Sequence, residues 1–564
     1  MRNRDDLVNK LRSGEVPDIL IIGGGINGVG VFRDLAAQGI PALLVEAGDF
    51  ASGTSSAPSR LIHGGLRYLE TGEAALVRES LTERNLLLKN AHHVVHPLPV
   101  WVPLTKIFAG AFGAAARFLR LTTKPGPKGA IPLKIGLTIY DLFGKLHKTM
   151  PNHRMLWGKA ARAELAELSE DVIAVGEYYD ARISHPERLV MELIADAEAD
   201  CPDAMAIPYL AAGDTKDGAI ELVDRQGQAS FAVSPKLVIN AAGAWVDKVQ
   251  TGLGFSGRLM GGTRGTHLVV RKPALTKAMK GKMLYFETAD HRACLALPID
   301  ARHIYLGTTD IRVNSPDERD FTEEEIDYIF DVMRPILPNV PFTRDDVVFV
   351  MAGIRPLPYQ DTETAAQISR DHRLDKLPAT EDRPFDTLVL VGGKWTTYRA
   401  FAEQITDTIL ERRGAPRVAS TADMVIGGAR DLPADTDARA EWIEGVSNET
   451  GLSIDRIATL VTRYGSKARD VAREEGQKPA RYDHLPEYSP AEIALICRTE
   501  RISRLQDIVL RRTLMGFEGA VTKANLPEIA ATAAEVLGWD KARTVSEIAE
   551  VTQILRDRHR VTLT

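Results

Sequence analysis

The spacing of apolar positions changes several times along the chain, and the changes mark out its elements. Residues 18–23, opening "DILIIGGGINGVG", are a short continuous apolar run bounded by glycine, as expected of a strand buried on both faces. Ile26, Val29, Phe32 and Leu35 then recur at helical spacing, Gly39 stops the helix, and "PALLVE" is a second apolar strand ending in Glu46. A further helix is expected over 73–92, with Val77, Leu81 and Leu88 on one face. At 236–247, "KLVINAAGAWVD" is an apolar strand running into small residues. Between 265 and 350, "THLVV", "CLALPI", "HIYLGTTD" and "VVFVMAGI" predict a mostly antiparallel sheet. "FDTLVLVGGKWTTYRAFAEQITDTIL", 385–410, repeats the opening order of strand, glycine pair and helix. A Gly, Pro and Asp-rich stretch at 427–437 marks a boundary, beyond which 438–564 read as helices.

The opening unit has chemical content. Gly23, Gly25 and Gly28 form GxGxxG between a strand and a helix, with an acid, Glu46, 18 residues past the last glycine. Such glycines let backbone approach a pyrophosphate at the helix N-terminus, and the acid accepts hydrogen bonds from a ribose diol. Ala242 and Gly243 at the end of the 236–247 strand, and Gly393 in the later glycine pair, bring two more close-approach turns. Several such turns on one nucleotide favour FAD over NAD, because FAD is gripped along its length. The lack of a second GxGxxG argues against NAD(P) as electron acceptor.

Composition narrows the class. The chain has 564 residues, 26% charged, with a net charge of −6, so nucleic acid is not an expected partner. Cys201, Cys294 and Cys497 are far apart, which argues against disulfides and a structural zinc, and no metal is expected. The N-terminus lacks an apolar core of the signal-peptide kind, and no run of 18 apolar residues occurs, so a cytoplasmic location is expected. Residues 105–150 stand apart, with eight Lys/Arg and one acid, Asp141, among apolar residues. This mixture suits an amphipathic surface resting on an anionic bilayer; a basic solvated face over a helical hairpin is the alternative.

Cations gather at turns. Arg67 lies in "GGLRY", Arg355 in "AGIRPLP", Arg370 in "ISRDH" and Lys394 in "GGKWTT". Arginine presents a planar fork that matches phosphate oxygens and lysine a point charge, so the set suggests a small anionic substrate.

These stretches, "IIGGGINGVG", "TSSAPSRLIHGGLRYLE", "YDLFGKL", "NAAGAWV", "RGTHLVV", "LGTTD", "GIRPL", "SRDH" and "GGKWTTYR", in order over about 18–400, resemble the FAD-dependent, respiratory type of glycerol-3-phosphate dehydrogenase. The resemblance implies an α/β (α+β) fold of the glycine/D-amino-acid oxidase type. An FAD-dependent oxidoreductase region would span 15–425, its FAD-binding parts about 15–105, 175–260 and 350–425 and its substrate parts about 106–174 and 261–349, followed by a helical C-terminal domain at 438–564. It implies oxidation of the C2 hydroxyl of sn-glycerol 3-phosphate to dihydroxyacetone phosphate, with hydride to flavin N5 and electrons to a membrane quinone. The enzyme would then sit peripherally on the inner face of the cell membrane.

The resemblance also distributes roles. Asn27, Thr54, Ser55, Ser56, Arg60, Thr396 and Thr397 would join the glycines, Glu46 and Lys394 around FAD. Arg67, Tyr68, Arg355, Arg370 and Lys394 would close on the substrate phosphate. Removing the carbinol proton needs a base within hydrogen-bond reach; His63 and His267 are candidates, and Arg355 is a candidate to stabilise the alkoxide. Arg60 and Arg264 stand where the family pattern has Lys, and Trp395 where it more usually has Leu, which leaves another polyol phosphate, such as erythritol phosphate, open as substrate. Other readings are an oxidase that uses oxygen, an FAD amino-acid oxidase, and a flavin-binding regulatory protein without turnover. A homodimer is also open.

Overall fold

A computed structural model describes residues 1–66, 73–107, 129–144, 150–227, 229–288, 292–360, 372–477 and 479–564. The opening unit is β1 (Ile19–Ile22), α1 (Ile26–Ala37) and β2 (Leu43–Val45). β1 is the centre of a parallel sheet, pairing with β2 on one side and with β3 (Leu237–Asn240) on the other. Met205–Ile207 extends the sheet beyond β2, Asp386–Val391 extends it beyond β3, and Arg373–Leu377 closes that edge antiparallel. Alternation along β1 feeds two cores. Ile19 and Ile21 pack with α1, Pro186–Asp200 and Tyr398–Arg413, whereas Leu20 and Ile22 pack against a three-stranded meander containing Leu210, Ile220 and Leu222. Both faces are covered, which is why these strands read as continuous apolar runs.

Among the described residues the larger sheet has ten strands, and all its pairings are antiparallel except that of Met283–Glu287 with Val95–Leu104. Next to one edge of it runs Met260–Arg271, paired along most of its length with Val347–Pro358 and, on the other side, with His303–Gly307 and Ile311–Val313.

The C-terminal helices begin with Thr436–Thr450, capped by Asp435, and end with Lys541–His559. They share one apolar core with the large sheet, in which Leu460, Ile496 and Ile529 join Tyr305, Phe349 and Met351. The glycine-rich boundary is packed: a Cβ on Gly427 would come within 2.4 Å of the Glu192 carboxyl carbon, and one on Gly428 within 2.4 Å of the Tyr464 carbonyl. All three cysteines are free and buried. No helix among the described residues is long and apolar enough to cross a membrane, and no group of His, Cys, Asp and Glu among them is arranged to hold a metal.

Candidate active site

One cavity of about 1340 Å³ runs from the C-terminal ends of the parallel strands to the face of the large sheet. That exceeds an ordinary small-ligand pocket and suits an extended dinucleotide with a substrate beside it.

At the nucleotide end the chain is thinned to backbone. Gly23 lies at φ +117°, where a Cβ would sit 2.5 Å from the Ala241 carbonyl oxygen, so β1 and the Ala242–Gly243 turn can touch only because glycine is there. Gly28 serves helix packing: its Cβ would lie 2.0 Å from the Gly23 carbonyl. Glu46 is half-buried at the end of β2, where it accepts the Gly24 N–H at 2.7 Å and the Gly48 N–H at 2.8 Å. Burial raises its pKa, and those two amides oppose the rise. Asn27 Oδ1 is buried in the lining with no hydrogen-bond partner among the described residues. An orphaned buried acceptor beside glycine-thinned backbone fits a bound nucleotide. The second glycine pair lies opposite, with Gly392 at φ +84° and Gly393 at φ +108°, and presents Lys394 and Thr396 to the cavity.

The "TSSAP" loop is knitted into the protein by its hydroxyls. Thr54 Oγ1 donates to the Ile354 carbonyl at 2.7 Å, Ser55 Oγ accepts the Ile26 N–H at 3.0 Å, and Ser56 Oγ donates to the Gly53 carbonyl at 2.9 Å. Thr54 and Ser55 line the cavity; Ser56 does not. Thr397 is also outside the lining, buried at the start of the Tyr398–Arg413 helix.

At the substrate end the register of the large sheet sets the geometry. Thr263 stands opposite Arg355 and His267 opposite Gly307. Since side chains alternate, positions 263, 265 and 267 share one face. The glycine at 265 makes room for Arg355, whose Nη2 would lie 2.2 Å from a Cβ there. Arg355 Nη1 donates to Asp310 Oδ1 at 2.9 Å, and Nη2 to Thr308 Oγ1 and the Thr309 carbonyl, both at 3.0 Å. His267 is buried, and neither ring nitrogen has a hydrogen-bond partner among the described residues. Burial, with Arg355 nearby, pushes its pKa down to about 3, so the ring is neutral at physiological pH. His63 also reaches the cavity, on a loop held by the Gly64 N–H donating to Asp180 Oδ1 at 2.8 Å. Asp180 also accepts from Tyr140 at 2.7 Å and Arg84 at 2.9 Å.

Arg60 and Arg264 point elsewhere in the structure. Arg60 is buried away from the cavity with its guanidinium 3.8 Å over the Phe517 ring, while Arg264 pairs with Glu325 at 2.9 Å. Among the described residues neither lines the cavity. Arg67, Tyr68 and Arg370 lie outside the described residues. Sequence reasoning missed Asp310 and Thr308, which orient Arg355; "LGTTD" carried them, but only the strand register shows what they face.

A glycine-turn nucleotide site opening onto the face of an antiparallel sheet defines a flavin-dependent oxidoreductase. The comparisons agree: residues 18–408 match the family described as FAD dependent oxidoreductase, and 419–544 match the C-terminal domain of alpha-glycerophosphate oxidase. Over 94% of this chain and 95% of the relative, the sequence is 33% identical to a glycerol-3-phosphate dehydrogenase of Synechocystis sp.. An aerobic glycerol-3-phosphate dehydrogenase of Staphylococcus aureus is 27% identical over 98% of this chain and 97% of its own length. The fold matches the crystal structure of a glycerol-3-phosphate dehydrogenase from Bacillus halodurans complexed with FAD, with a TM-score of 0.73 at 23% identity, covering 99% of this chain and 98% of that one. The chain belongs to the FAD-dependent glycerol-3-phosphate dehydrogenase family, and its cofactor is FAD.

Proposed function

We propose that this protein oxidises the secondary hydroxyl of sn-glycerol 3-phosphate to dihydroxyacetone phosphate and delivers the electrons to a membrane quinone. The observation that carries the reading is the continuity of one cavity between the nucleotide turns and the face bearing His267 and Arg355. FAD, when bound, supplies the hydride acceptor.

The residues supply the rest. Arg355 and Lys394 attract the phosphate, and Asp310 fixes the angle of the arginine fork. Neutral His267 accepts the hydroxyl proton on a ring nitrogen. An arriving phosphate dianion offsets the field of Arg355, one cause of the ring's low basicity, and so raises its affinity for the proton when it is needed. His63 is the second candidate, also in the cavity lining. Arg67, Tyr68 and Arg370 complete the phosphate site in this reading.

The quinone assignment is supported by the helix Ala130–Gly144. Its exposed Ile131, Ile135 and Leu142 fall on one stripe in a strongly basic stretch of chain, which suits a peripheral seat on the cytoplasmic face of an anionic membrane. The test is anaerobic stopped-flow with sn-glycerol 3-phosphate, read at roughly 450 nm where the flavin itself absorbs. Fast bleaching supports the reading. Bleaching only by another polyol phosphate would move the specificity, and bleaching by none would sink the proposal.

A further inference from the structure

The C-terminal domain reaches back to the ribose end of the FAD site, through a buried cluster of charges that the reaction does not use. Asp49 lies three residues beyond Glu46 in the loop that leaves β2, with no exposed side-chain surface. Arg512 grips it with both prongs, Nη1 to Oδ2 at 2.7 Å and Nη2 to Oδ1 at 2.8 Å. Arg511 Nε adds a third bond, to Oδ2 at 2.5 Å. The two arginines stand in a π-turn, Ile508–Arg512, a wide turn that frequently marks functional sites.

A second carboxylate completes the cluster. Asp507 Oδ1 accepts from Arg511 Nη2 at 2.6 Å and from the Tyr209 hydroxyl at 2.6 Å, and its Oδ2 accepts the Ser503 and Arg504 N–H groups at 3.0 and 2.9 Å. Tyr209 immediately precedes Leu210, which lines the cavity. The Tyr209 N–H donates to the Gly48 carbonyl at 2.8 Å, and the Leu210 N–H donates to the Glu46 carbonyl at 2.8 Å. The C-terminal domain therefore holds both the loop that carries Glu46 and the segment that backs it. Two arginines face two aspartates in a volume closed to water.

Such a cluster is poor glue, since apolar residues of the same volume would hold the domains as well, but it is directional, and a half-satisfied version is costly. We propose that Arg511 and Arg512 are positioning residues for FAD, a clamp that sets the Glu46 loop in its nucleotide-binding geometry and makes cofactor retention depend on the C-terminal domain. The inference rests on FAD as cofactor and not on the identity of the alcohol oxidised.

The test uses the full chain, stripped of flavin and titrated with FAD alone, following quenching of flavin fluorescence. Arg512→Gln is expected to weaken FAD binding at least tenfold. At saturating FAD, kcat and the KM for sn-glycerol 3-phosphate should stay within about twofold of wild type, because neither arginine lines the cavity and neither is among the charges that act on His267. The pair Asp49→Asn with Arg512→Gln, which replaces buried charges with hydrogen-bonding amides, should recover part of the lost affinity. Should Arg512→Gln fail to fold, Arg511→Lys keeps the charge without the fork, and weaker FAD binding is again expected. Wild-type FAD affinity in a folded variant would overturn the proposal. So would a fall in kcat at saturating FAD as large as the loss of affinity, which would mark general loosening.

Discussion

His267 lies flat against Tyr305, with ring centroids 4.7 Å apart and planes inclined by 5°. The stack, not a hydrogen bond, fixes the histidine, since both its nitrogens are buried without partners among the described residues. Tyr305 is anchored by its hydroxyl, which donates to the Pro58 carbonyl at 3.0 Å, and Phe517 of the C-terminal domain tilts against its ring at 5.7 Å. Gly307, opposite His267 in the sheet, leaves space for the ring: a Cβ there would come within 2.2 Å of it. A neutral, unanchored imidazole held only by packing is free to bond to whatever enters the cavity.

The same burial makes His267 an acid-sensitive element of stability. Its pKa falls from 6.5 in the unfolded chain to about 3 in the fold, so acid protonates the unfolded state first. Stability from this group is complete above pH 6.5 and is lost as pH drops toward 3. Between pH 7.5 and pH 5 the wild type should lose about 2 kcal/mol more than His267→Gln. Urea titrations of both proteins at the two pH values check this; equal losses would mean that the histidine titrates normally in the fold.

Arg355 should not tolerate replacement by lysine. Its two terminal nitrogens reach Asp310, Thr308 and the Thr309 carbonyl at once, which a single ammonium on a flexible stem does not reproduce. Loss of a hydrogen bond to a charged group is worth about 1.5–3 kcal/mol, so Arg355→Lys should lower kcat/KM by about ten- to a hundredfold. FAD content, read from the visible spectrum, should be unchanged. Near-normal kcat/KM in this variant would remove Arg355 from the site.

Much of this was legible in the sequence, for reasons that particular residues show. A strand covered on both faces must be apolar throughout, so 18–23 announced β1, and the glycines after it announced a nucleotide. The expected helix at 73–92 forms as Ala74–Asn90, with Val77 and Leu81 buried. What local pattern could not convey is direction in space. Arg60 sits in a motif next to the site, yet its backbone turns to φ +58° and its side chain passes under the C-terminal domain. Asp310 stands 45 residues from the arginine it orients, and only strand register joins them. The role of the C-terminal helices was hidden likewise, because Asp49 and Arg512 are 463 residues apart.

Gly28 is a sharper probe of the nucleotide turn than Gly23 or Gly25, because its backbone is ordinary helix and only space forbids a side chain. A Cβ would meet the Gly23 carbonyl at 2.0 Å and the Ala241 Cβ at 3.1 Å, and both residues line the cavity. Gly28→Ala should therefore cost about 1–3 kcal/mol in the apoprotein, from overpacking. It should also lower the flavin bound per protein after purification. Thermal melts with and without added FAD separate the two effects: the melting temperature of the apoprotein falls, and the gain on adding FAD shrinks. An unchanged gain would mean that α1 shifts as a body without disturbing the nucleotide site.

The exposed stripe on Ala130–Gly144 gives the most direct test of the membrane reading, because its residues lie outside the cavity lining. Ile135 and Leu142 are 57% and 62% exposed, nearly two helical turns apart on one face, while Tyr140 on the buried face is tied to Asp180. Placing Glu at both exposed positions removes apolar surface and adds charge that an anionic bilayer repels. The helix should persist, since its buried Leu133, Leu137 and Tyr140 are untouched. The double variant Ile135→Glu with Leu142→Glu should lose co-sedimentation with anionic vesicles and turnover with a membrane quinone. Turnover with a soluble dye as acceptor should remain at the wild-type rate, because the cavity and its arginine are unchanged. If the variant still pelleted with vesicles, the stripe would not be the membrane contact. If neither protein bound vesicles at low salt, the quinone assignment would fall and oxygen would become the acceptor to measure next.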